Sequence, residues 1–188
     1  MGNEEYEGYE RISRVLDYFT PPELVKWKVK VGAKEAKRAG TVAMKIGTEV
    51  DEWIKADVVG WKLPKLSTDE ARNCVEGYKR WVEEYIPVLT VGTRVFDNDI
   101  SVTGEPDLLD TVTVIEIKCS AVIRPSYWLQ TEFYARQTGK ARKAILRLDK
   151  HLAVYQYEVR DVNDADWEAV KGLVQAYRFY QQSLTEGK

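Results

Sequence analysis

The sequence predicts an α/β (α+β) fold. The first observation behind this prediction is a change of texture at Pro87: apolar residues recur at helical spacing before it, whereas residues 88–118 are rich in Val, Ile and Thr, which favour strands. The second observation is the predicted order of helices, three strands, a helix, two strands and a helix. Because the helix after the third strand is long enough for a crossover, at least one parallel strand pair is expected.

Length and composition limit the domain organisation and the chemistry. The 188 residues suit a single domain with a helical N-terminal layer over residues 10–87, a strand-rich core over 88–160 and a C-terminal helix over 163–185. The two cysteines form no C-x-x-C pair, which excludes a zinc knuckle and a four-cysteine iron–sulfur cluster, and we expect free thiols rather than a disulfide. The single histidine argues against a histidine-based triad.

Four helices are predicted before the strands. The second begins at Pro22, a residue suited to a first helical turn, and ends before a break at Gly40 and Thr41. Ser67 is the predicted N-cap of the fourth helix, which Pro87 closes. The four predicted helices cover residues 10–19, 22–38, 41–59 and 67–86.

Five strands and two further helices are predicted in the rest of the chain. Turns at residues 98–99 and 110–111 separate the first three strands. The predicted strands cover residues 88–96, 100–109, 112–118, 144–148 and 153–159. The predicted helices cover residues 126–138 and 163–184.

Two charged residues lie on a strand that otherwise has the composition of a buried one. Side chains alternate along a strand, so Glu116 and Lys118 point to one side and the isoleucines beside them point to the other, towards a core. Asp107 lies near the end of the preceding strand. A hairpin through the turn at residues 110–111 would place Asp107 near Glu116.

This arrangement favours a divalent cation. Two carboxylates that lie close together repel each other and require a cation between them. Oxygen ligands with open water positions suit Mg²⁺ or Mn²⁺, and the carbonyl of Ile117 is a natural third ligand beside Asp107 and Glu116. A lysine such as Lys118 can orient the attacking water or stabilise charge on a phosphoryl oxygen. These parts suit the hydrolysis of phosphodiester bonds.

The same residues resemble the signature of the PD-(D/E)XK nucleases. Pro106-Asp107 is followed, after residues 108–115, by Glu116-Ile117-Lys118. Gln130 and Tyr134 match the Gln-x-x-x-Tyr element of the RecB-like and lambda-exonuclease-like branch, and they share one helix face. The resemblance implies a restriction-endonuclease-like core, a mixed sheet flanked by helices. It also implies that Gln130 orients Lys118 or the phosphate, and that Tyr134 supports Gln130 or contacts the DNA backbone.

An upstream element adds to the resemblance and also departs from it. Residues 47–52 are similar to the Gly-Thr-x-Val-His-Glu element of the branch, with Asp51 in place of the histidine. The glutamate that the branch often carries on the strand before the motif aspartate is missing near residues 91–93. The resemblance therefore implies that further metal ligation depends on Asp51, Glu49 or Glu105, of which Asp51 and Glu49 cannot share one helix face.

Local basic stretches, rather than overall charge, would have to bind nucleic acid. The chain has 28 Lys and Arg against 30 Asp and Glu. Residues 26–45 and 136–150 are rich in cations, and a solvated helix face or strand edge is the common alternative for such runs. The candidate DNA-binding residues are Lys26, Lys30, Lys34, Lys37, Arg38 and Lys45.

The resemblance implies a metal-dependent DNA nuclease, in the first place an exonuclease that acts in recombination, repair or replication. One alternative is a structure-specific or site-specific endonuclease on the same site. Another is a catalytically silent DNA-binding or scaffolding module. A fold without a nucleic-acid role would be favoured if the basic stretches lay opposite Glu116, and Glu116 and Lys118 could also form a surface ion pair on an edge strand.

DNA is the expected partner and Mg²⁺ or Mn²⁺ the expected cofactor, while a homo-oligomer and recombination or replication proteins stay open as partners. No apolar run approaches the roughly 18 residues that would indicate a membrane span. The acidic segment from Met1 to Glu10 lacks the features of a signal peptide. We therefore expect a cytoplasmic protein with no membrane partner, or one in the host cytoplasm if it is viral.

Overall fold

The computed structural model describes residues 8–186, which contain six helices and eight strands. The helices are α1 (Ile12–Tyr18), α2 (Pro22–Val31), α3 (Ala33–Val59), α4 (Asp69–Tyr85), α5 (Pro125–Thr138) and α6 (Asp164–Glu186). The strands are β1 (Glu10–Arg11), β2 (Thr90–Val91), β3 (Val95–Asp97), β4 (Val102–Gly104), β5 (Leu108–Leu109), β6 (Thr113–Lys118), β7 (Arg142–Leu148) and β8 (Tyr155–Asp161).

A five-stranded mixed sheet in the order β2-β5-β6-β7-β8 forms the centre of the fold. β6 pairs antiparallel with β5 and parallel with β7, and α5 makes the crossover between the two parallel strands. This parallel pair confirms the prediction from the sequence. Because β6 is a central strand, the side chains on it lie between neighbouring strands rather than at an edge. A smaller sheet has the order β1-β4-β3.

The central sheet separates two hydrophobic cores, as the alternation of side chains along its strands requires. Ile115 and Leu146 belong to the core that includes residues of α3 and α4. Val114 belongs to the other core, with residues of α1, α5 and α6 such as Phe133 and Val170. β6 thus contributes to both cores.

The predicted break between the second and third helices was wrong. The helix runs through Gly40 and Thr41, and the chain breaks instead at Gly32, between α2 and α3. Gly32 has φ 82° and ψ 157°, a conformation that is essentially restricted to glycine. A glycine such as Gly40 inside a helix costs only about 1 kcal/mol relative to alanine, so the alanine-rich neighbourhood keeps its helix.

Other predicted boundaries also needed correction. The N-cap of α4 is Thr68, whose side chain accepts a hydrogen bond from the backbone N–H of Ala71 at 3.1 Å, rather than Ser67. The predicted strands over residues 88–96 and 100–109 each divide into two short strands that belong to different sheets. Both cysteines are free thiols, and within residues 8–186 no helix has the length and apolar character needed to cross a membrane.

Candidate active site

Glu116 and Lys118 form an ion pair on the central strand β6. The Nζ atom of Lys118 lies 2.7 Å from Oε1 of Glu116, and Glu116 is only 3% exposed. Both side chains point away from Ile115, which packs in the core against α3 and α4. The alternative of a solvated pair on an edge strand is therefore wrong, and the burial of two charges requires another explanation.

The hairpin between β5 and β6 brings Asp107 to this pair. Leu108 pairs with Ile115, so Asp107 stands opposite the middle of β6. The backbone N–H of Ile117 donates a hydrogen bond of 2.7 Å to Oδ2 of Asp107. Asp107, Glu116 and the backbone of Ile117 are thus adjacent, as the predicted turn at residues 110–111 suggested.

Helix α5 holds the ammonium group of Lys118 from the other side. Lys118 donates a hydrogen bond of 3.1 Å to Oε1 of Gln130, whose amide donates to the hydroxyl of Tyr134 at 3.1 Å. The ring of Tyr127 lies 4.9 Å from Nζ of Lys118. Tyr127 is not among the site residues predicted from the sequence, although its spacing of three residues from Gln130 puts both on one helix face.

Gly104 makes room for Tyr134. A Cβ atom at Gly104 would lie 2.5 Å from a ring carbon of Tyr134 and 2.9 Å from a methyl group of Ile12. The glycine at the end of β4 therefore allows the ring to reach the site beside Gln130. This close approach gives a physical reason for the glycine in the Gly-Glu-Pro-Asp stretch.

Two openings in the surface meet at Asp107 and Glu116. The first opening has a volume of about 340 Å³, and the second about 270 Å³. The first is lined by residues that include Gly47, Asp51, Asp107, Glu116, Lys118 and Tyr127. The second is lined by residues that include Arg11, Lys55, Arg94, Glu105, Asp107 and Glu116.

The structure brings Asp51 to the site but not Glu49. Asp51 lines the first opening with Asp107 and Glu116. Glu49 instead accepts hydrogen bonds from the backbone N–H and the hydroxyl of Ser67, at 3.0 and 2.5 Å, and lines neither opening. The hydrogen bond from the hydroxyl of Ser67 lowers the pKa of Glu49. Through its two hydrogen bonds to Ser67, Glu49 holds the loop before α4. The expectation that Glu49 binds the metal is therefore not supported.

Backbone fills the position near residue 92, where the nucleases that the sequence resembles often carry a strand glutamate. A Cβ atom at Gly92 would overlap the carbonyl of Pro106, and the N–H of Gly92 donates to the carbonyl of Asp107 at 3.2 Å. No side chain fits at residue 92 unless the backbone at Pro106 moves. Glu105 lies close by, but it forms ion pairs with Arg94 at 3.1 Å and Lys55 at 3.6 Å.

Burial and mutual repulsion shift the titration of the three central groups. Burial raises the pKa of Asp107 well above its usual range, and the neighbouring charge of Glu116 raises it further. Burial also raises the pKa of Glu116, although Lys118 opposes this shift. Burial alone would lower the pKa of Lys118, but the carboxylates of Glu116 and Asp107 more than offset that effect and raise it.

Two carboxylate oxygens at the site fit a divalent cation. Oδ1 of Asp51 and Oε2 of Glu116 are buried and have no hydrogen-bond partner. Buried polar atoms are nearly always satisfied, so these two are available to a further partner such as a metal ion or a water molecule. Among residues 8–186 there is no group of three His, Cys, Asp or Glu side chains that could hold an ion by themselves. Carbonyl and water oxygens would have to complete the coordination of an ion held here, and such a ligand set suits Mg²⁺ or Mn²⁺.

Solved structures share this fold. An alkaline exonuclease from Laribacter hongkongensis superimposes with a TM-score of 0.57 at 17% identity, over 97% of this chain and 92% of the other. Its complex with dAMP gives a TM-score of 0.56 at 18% identity over the same shares, 97% and 92%. The chain has an exonuclease-like fold. A protein named SSO0001 is also similar, with a TM-score of 0.53 at 10% identity over 94% of this chain and 78% of that one.

The predicted α/β class, a mixed sheet flanked by helices, is thereby confirmed. By sequence there is no match, either to a protein-family model or to a curated protein.

The first basic stretch forms an exposed arm, which we define as residues 22–45. Its helices, α2 and the first part of α3, contain no buried residue in this range. All six candidate DNA-binding residues are exposed on the arm: Lys26, Lys30, Lys34, Lys37, Arg38 and Lys45. Helix α3 then continues to Gly47 and Asp51 in the first opening, so the arm adjoins the site.

Three cations of the second basic stretch form ion pairs within the molecule. Lys143 is fully buried between Glu132 and Asp166. Arg136 pairs with Glu132 and Asp164, and Arg147 pairs with Asp149. The prediction of a second phosphate-binding stretch is therefore wrong for these residues, because their charges are used inside the molecule.

Proposed function

We propose that the protein is a metal-dependent DNA nuclease of the PD-(D/E)XK type, from the RecB-like and lambda-exonuclease-like branch. The observation that carries this proposal is the buried Glu116–Lys118 pair on the central strand, with Asp107 bonded to Ile117 beside it. Buried ion pairs add little net stability to a fold, and this pair lines a surface opening together with Asp107. A site that binds a cation and a phosphate needs both charges.

Asp107, Glu116 and the carbonyl of Ile117 would hold Mg²⁺ or Mn²⁺, with Asp51 as a further ligand. Such an ion, when bound, lowers the pKa of a bound water and neutralises charge on phosphoryl oxygens. Oε2 of Glu116 and Oδ1 of Asp51 are the atoms available for it. The acid that the family often places on the preceding strand would be replaced by Asp51.

Lys118 would act on the scissile phosphate or on the attacking water. Its ammonium group has three donors, of which Glu116 and Gln130 accept two. The third is free to donate to a phosphoryl oxygen or to a water molecule. Gln130, itself bonded to Tyr134, fixes the direction of that donor. This preorganisation stabilises the transition state more than the substrate.

DNA is the proposed substrate, and attack from DNA ends the proposed mode. The arm supplies exposed cations beside the first opening, and phosphate contacts provide most of the affinity for nucleic acid. The similar structures include an alkaline exonuclease and its complex with dAMP, which supports an exonuclease. A role in recombination, repair or replication is part of the same proposal, as is a homo-oligomer or an accessory protein partner.

The test is a nuclease assay on end-labelled linear, nicked and circular DNA, with Mg²⁺, Mn²⁺ or EDTA. We expect divalent-dependent degradation of linear DNA and no cleavage of intact circles. Glu116→Gln and Lys118→Met should each lower kcat by at least about 100-fold. Glu168→Gln, at an exposed glutamate of α6, is the matched control and should retain full activity. Cleavage of circles would instead indicate an endonuclease on the same site, and equal activity of Glu116→Gln would refute the proposed site.

A catalytically silent DNA-binding module is the second candidate. It is favoured by Gly92, whose contact with Pro106 leaves no room for the acid expected there. This candidate predicts DNA binding without cleavage in either metal. The two candidates are separated by measuring binding and cleavage on the same linear duplex, because only the nuclease releases nucleotides.

A further inference from the structure

The site is charge-balanced without an added cation. Four carboxylates and four cationic side chains line the two openings. The carboxylates are Asp51, Glu105, Asp107 and Glu116. The cations are Arg11, Lys55, Arg94 and Lys118. The first opening has three of the carboxylates and only Lys118 among the cations, so the three cations of the second opening offset the charge that a divalent ion would meet.

Lys55 connects the two openings. It lies one helical turn after Asp51 on α3, and its Nζ atom is 3.0 Å from Oδ2 of Asp51. The same ammonium group is 3.6 Å from Oε1 of Glu105, which also binds Arg94. The Lys55 side chain is 24% exposed, so these interactions are only partly screened by solvent.

Lys55 pairs with only one of the two carboxylate oxygens of Asp51, which is Oδ2. Oδ1 of Asp51 is buried without a partner. Lys55 is therefore close enough to neutralise Asp51 without blocking the atom that would face a metal ion.

We propose that Lys55 is the internal counter-ion of the site: it neutralises Asp51 in the metal-free protein and opposes the binding of a divalent cation by its own positive charge. The inference rests on the proposed metal site. Its consequence is that the affinity for the metal is tuned by Lys55, a residue that does not bind the metal.

Electrostatics give the sign of the effect. The Nζ atom of Lys55 lies within ion-pair distance of Asp51 and Glu105, so its positive charge offsets theirs. Without this charge the carboxylates repel one another more strongly in the metal-free protein and attract a cation more strongly. Lys55→Met should therefore lower the metal-free Tm and tighten metal binding.

The test is calorimetric titration of the full-length protein with Mn²⁺, in the absence of DNA, together with the metal-free Tm. Lys55→Met should bind Mn²⁺ about three- to tenfold more tightly than wild type, and Lys55→Arg should match wild type. Lys55→Gln is a second neutral variant if the methionine variant folds poorly. Lys171→Met, at a lysine that pairs with Glu168 on α6, is the control and should leave Mn²⁺ binding unchanged.

The outcomes separate this inference from the proposed function. Tighter Mn²⁺ binding by the neutral variants supports the counter-ion role, because a residue that was merely structural would weaken binding when removed. Equal or weaker binding by Lys55→Met and Lys55→Gln, while wild type and Lys171→Met bind Mn²⁺, overturns the counter-ion role alone. If wild type binds no Mn²⁺, the metal site itself fails, and the counter-ion role fails with it.

Discussion

At the scale of single residues, the ammonium group of Lys118 is the best-defined part of the site. It contacts a carboxylate, an amide oxygen and an aromatic face, supplied by Glu116, Gln130 and Tyr127. Together these contacts limit the freedom of the lysine side chain. A flexible side chain that is held in this way loses less entropy when it meets the phosphate.

The Tyr127 ring should contribute to catalysis through Lys118. A cation–π contact is worth about 0.5–2 kcal/mol, so Tyr127→Leu should lower kcat roughly two- to thirtyfold with little change in KM. Tyr127→Phe keeps the aromatic face and should rescue kcat. Steady-state kinetics on linear DNA would measure the changes in kcat and in KM separately. A rise in KM at constant kcat would mean that Tyr127 contacts DNA rather than Lys118.

Asp107 should destabilise the metal-free protein at neutral pH. Its pKa is raised on folding, so the folded state retains the proton more tightly, and stability falls as the pH rises from the ordinary value through the raised one. Asp107→Asn removes this charge, and its amide oxygen can still accept from Ile117. We expect a metal-free Tm a few degrees above wild type at pH 8.

The same variant should lose its response to metal. Mn²⁺ should raise the Tm of wild type but not that of Asp107→Asn. Below the raised pKa, where wild type is protonated, the two metal-free proteins should have similar Tm values. Asp17→Asn, at an exposed aspartate of α1, is the control for a change of one charge. A Tm advantage of Asp107→Asn that persisted unchanged at acid pH would contradict the linkage argument.

The sequence predicted the strand-borne residues well because strand geometry is simple. Alternation along β6 and a short turn are enough to place Glu116, Lys118 and Asp107 on one side. Alternation along a strand could not show whether Asp51 or Glu49 faces the site. Glu49 is directed by Ser67, in a loop whose position depends on how α4 packs.

At the scale of elements, the arm is the part of the fold that the sequence determines least clearly. A solvated helix has no stripe of buried apolar residues that would reveal in the sequence where the helix ends. The backbone conformation of single residues therefore determines its end. Gly32 and Gly40 lie in similar sequence surroundings, but of the two only Gly32 takes a positive φ. The sequence therefore predicted the helices of the arm correctly and the break between them wrongly.

Removing charges from the arm should weaken DNA binding without unfolding the protein. The variant replaces four exposed lysines with alanine, and none of them contributes to a core. Each lost phosphate contact should lower the slope of log K against log salt by about 0.9. The arm variant combines substitutions at Lys26, Lys30, Lys34 and Lys37.

A control variant of equal charge separates the arm from net charge. It carries alanine at three exposed lysines and one half-buried lysine, Lys171, all outside the arm, and it should keep the wild-type salt slope. Fluorescence anisotropy of a labelled duplex between low and high salt would measure both slopes. Equal loss in the two variants would show that the arm has no special role. The control positions are Lys62, Lys65, Lys79 and Lys171.

At the scale of the whole molecule, a buried ionic network joins the sheet to two helices. Lys143 on β7 is bound by Glu132 of α5 and by Asp166 of α6, and neither Lys143 nor Glu132 is exposed. Glu132 also pairs with Arg136. The sequence placed Lys143 in a basic surface stretch, because a run of cations does not show which of them a sheet register turns inward.

Lys143 should therefore be essential for stability although it takes no part in the proposed chemistry. Lys143→Met leaves Glu132 buried without its main partner, and breaking such a pair costs about 3–5 kcal/mol. Adding Glu132→Gln removes the stranded charge, so the double variant should recover part of the loss. Urea denaturation measures both. If Lys143→Met alone cost less than about 1 kcal/mol, Arg136 or water must satisfy Glu132 without Lys143, and the network would not hold α5, which carries Gln130, against the sheet.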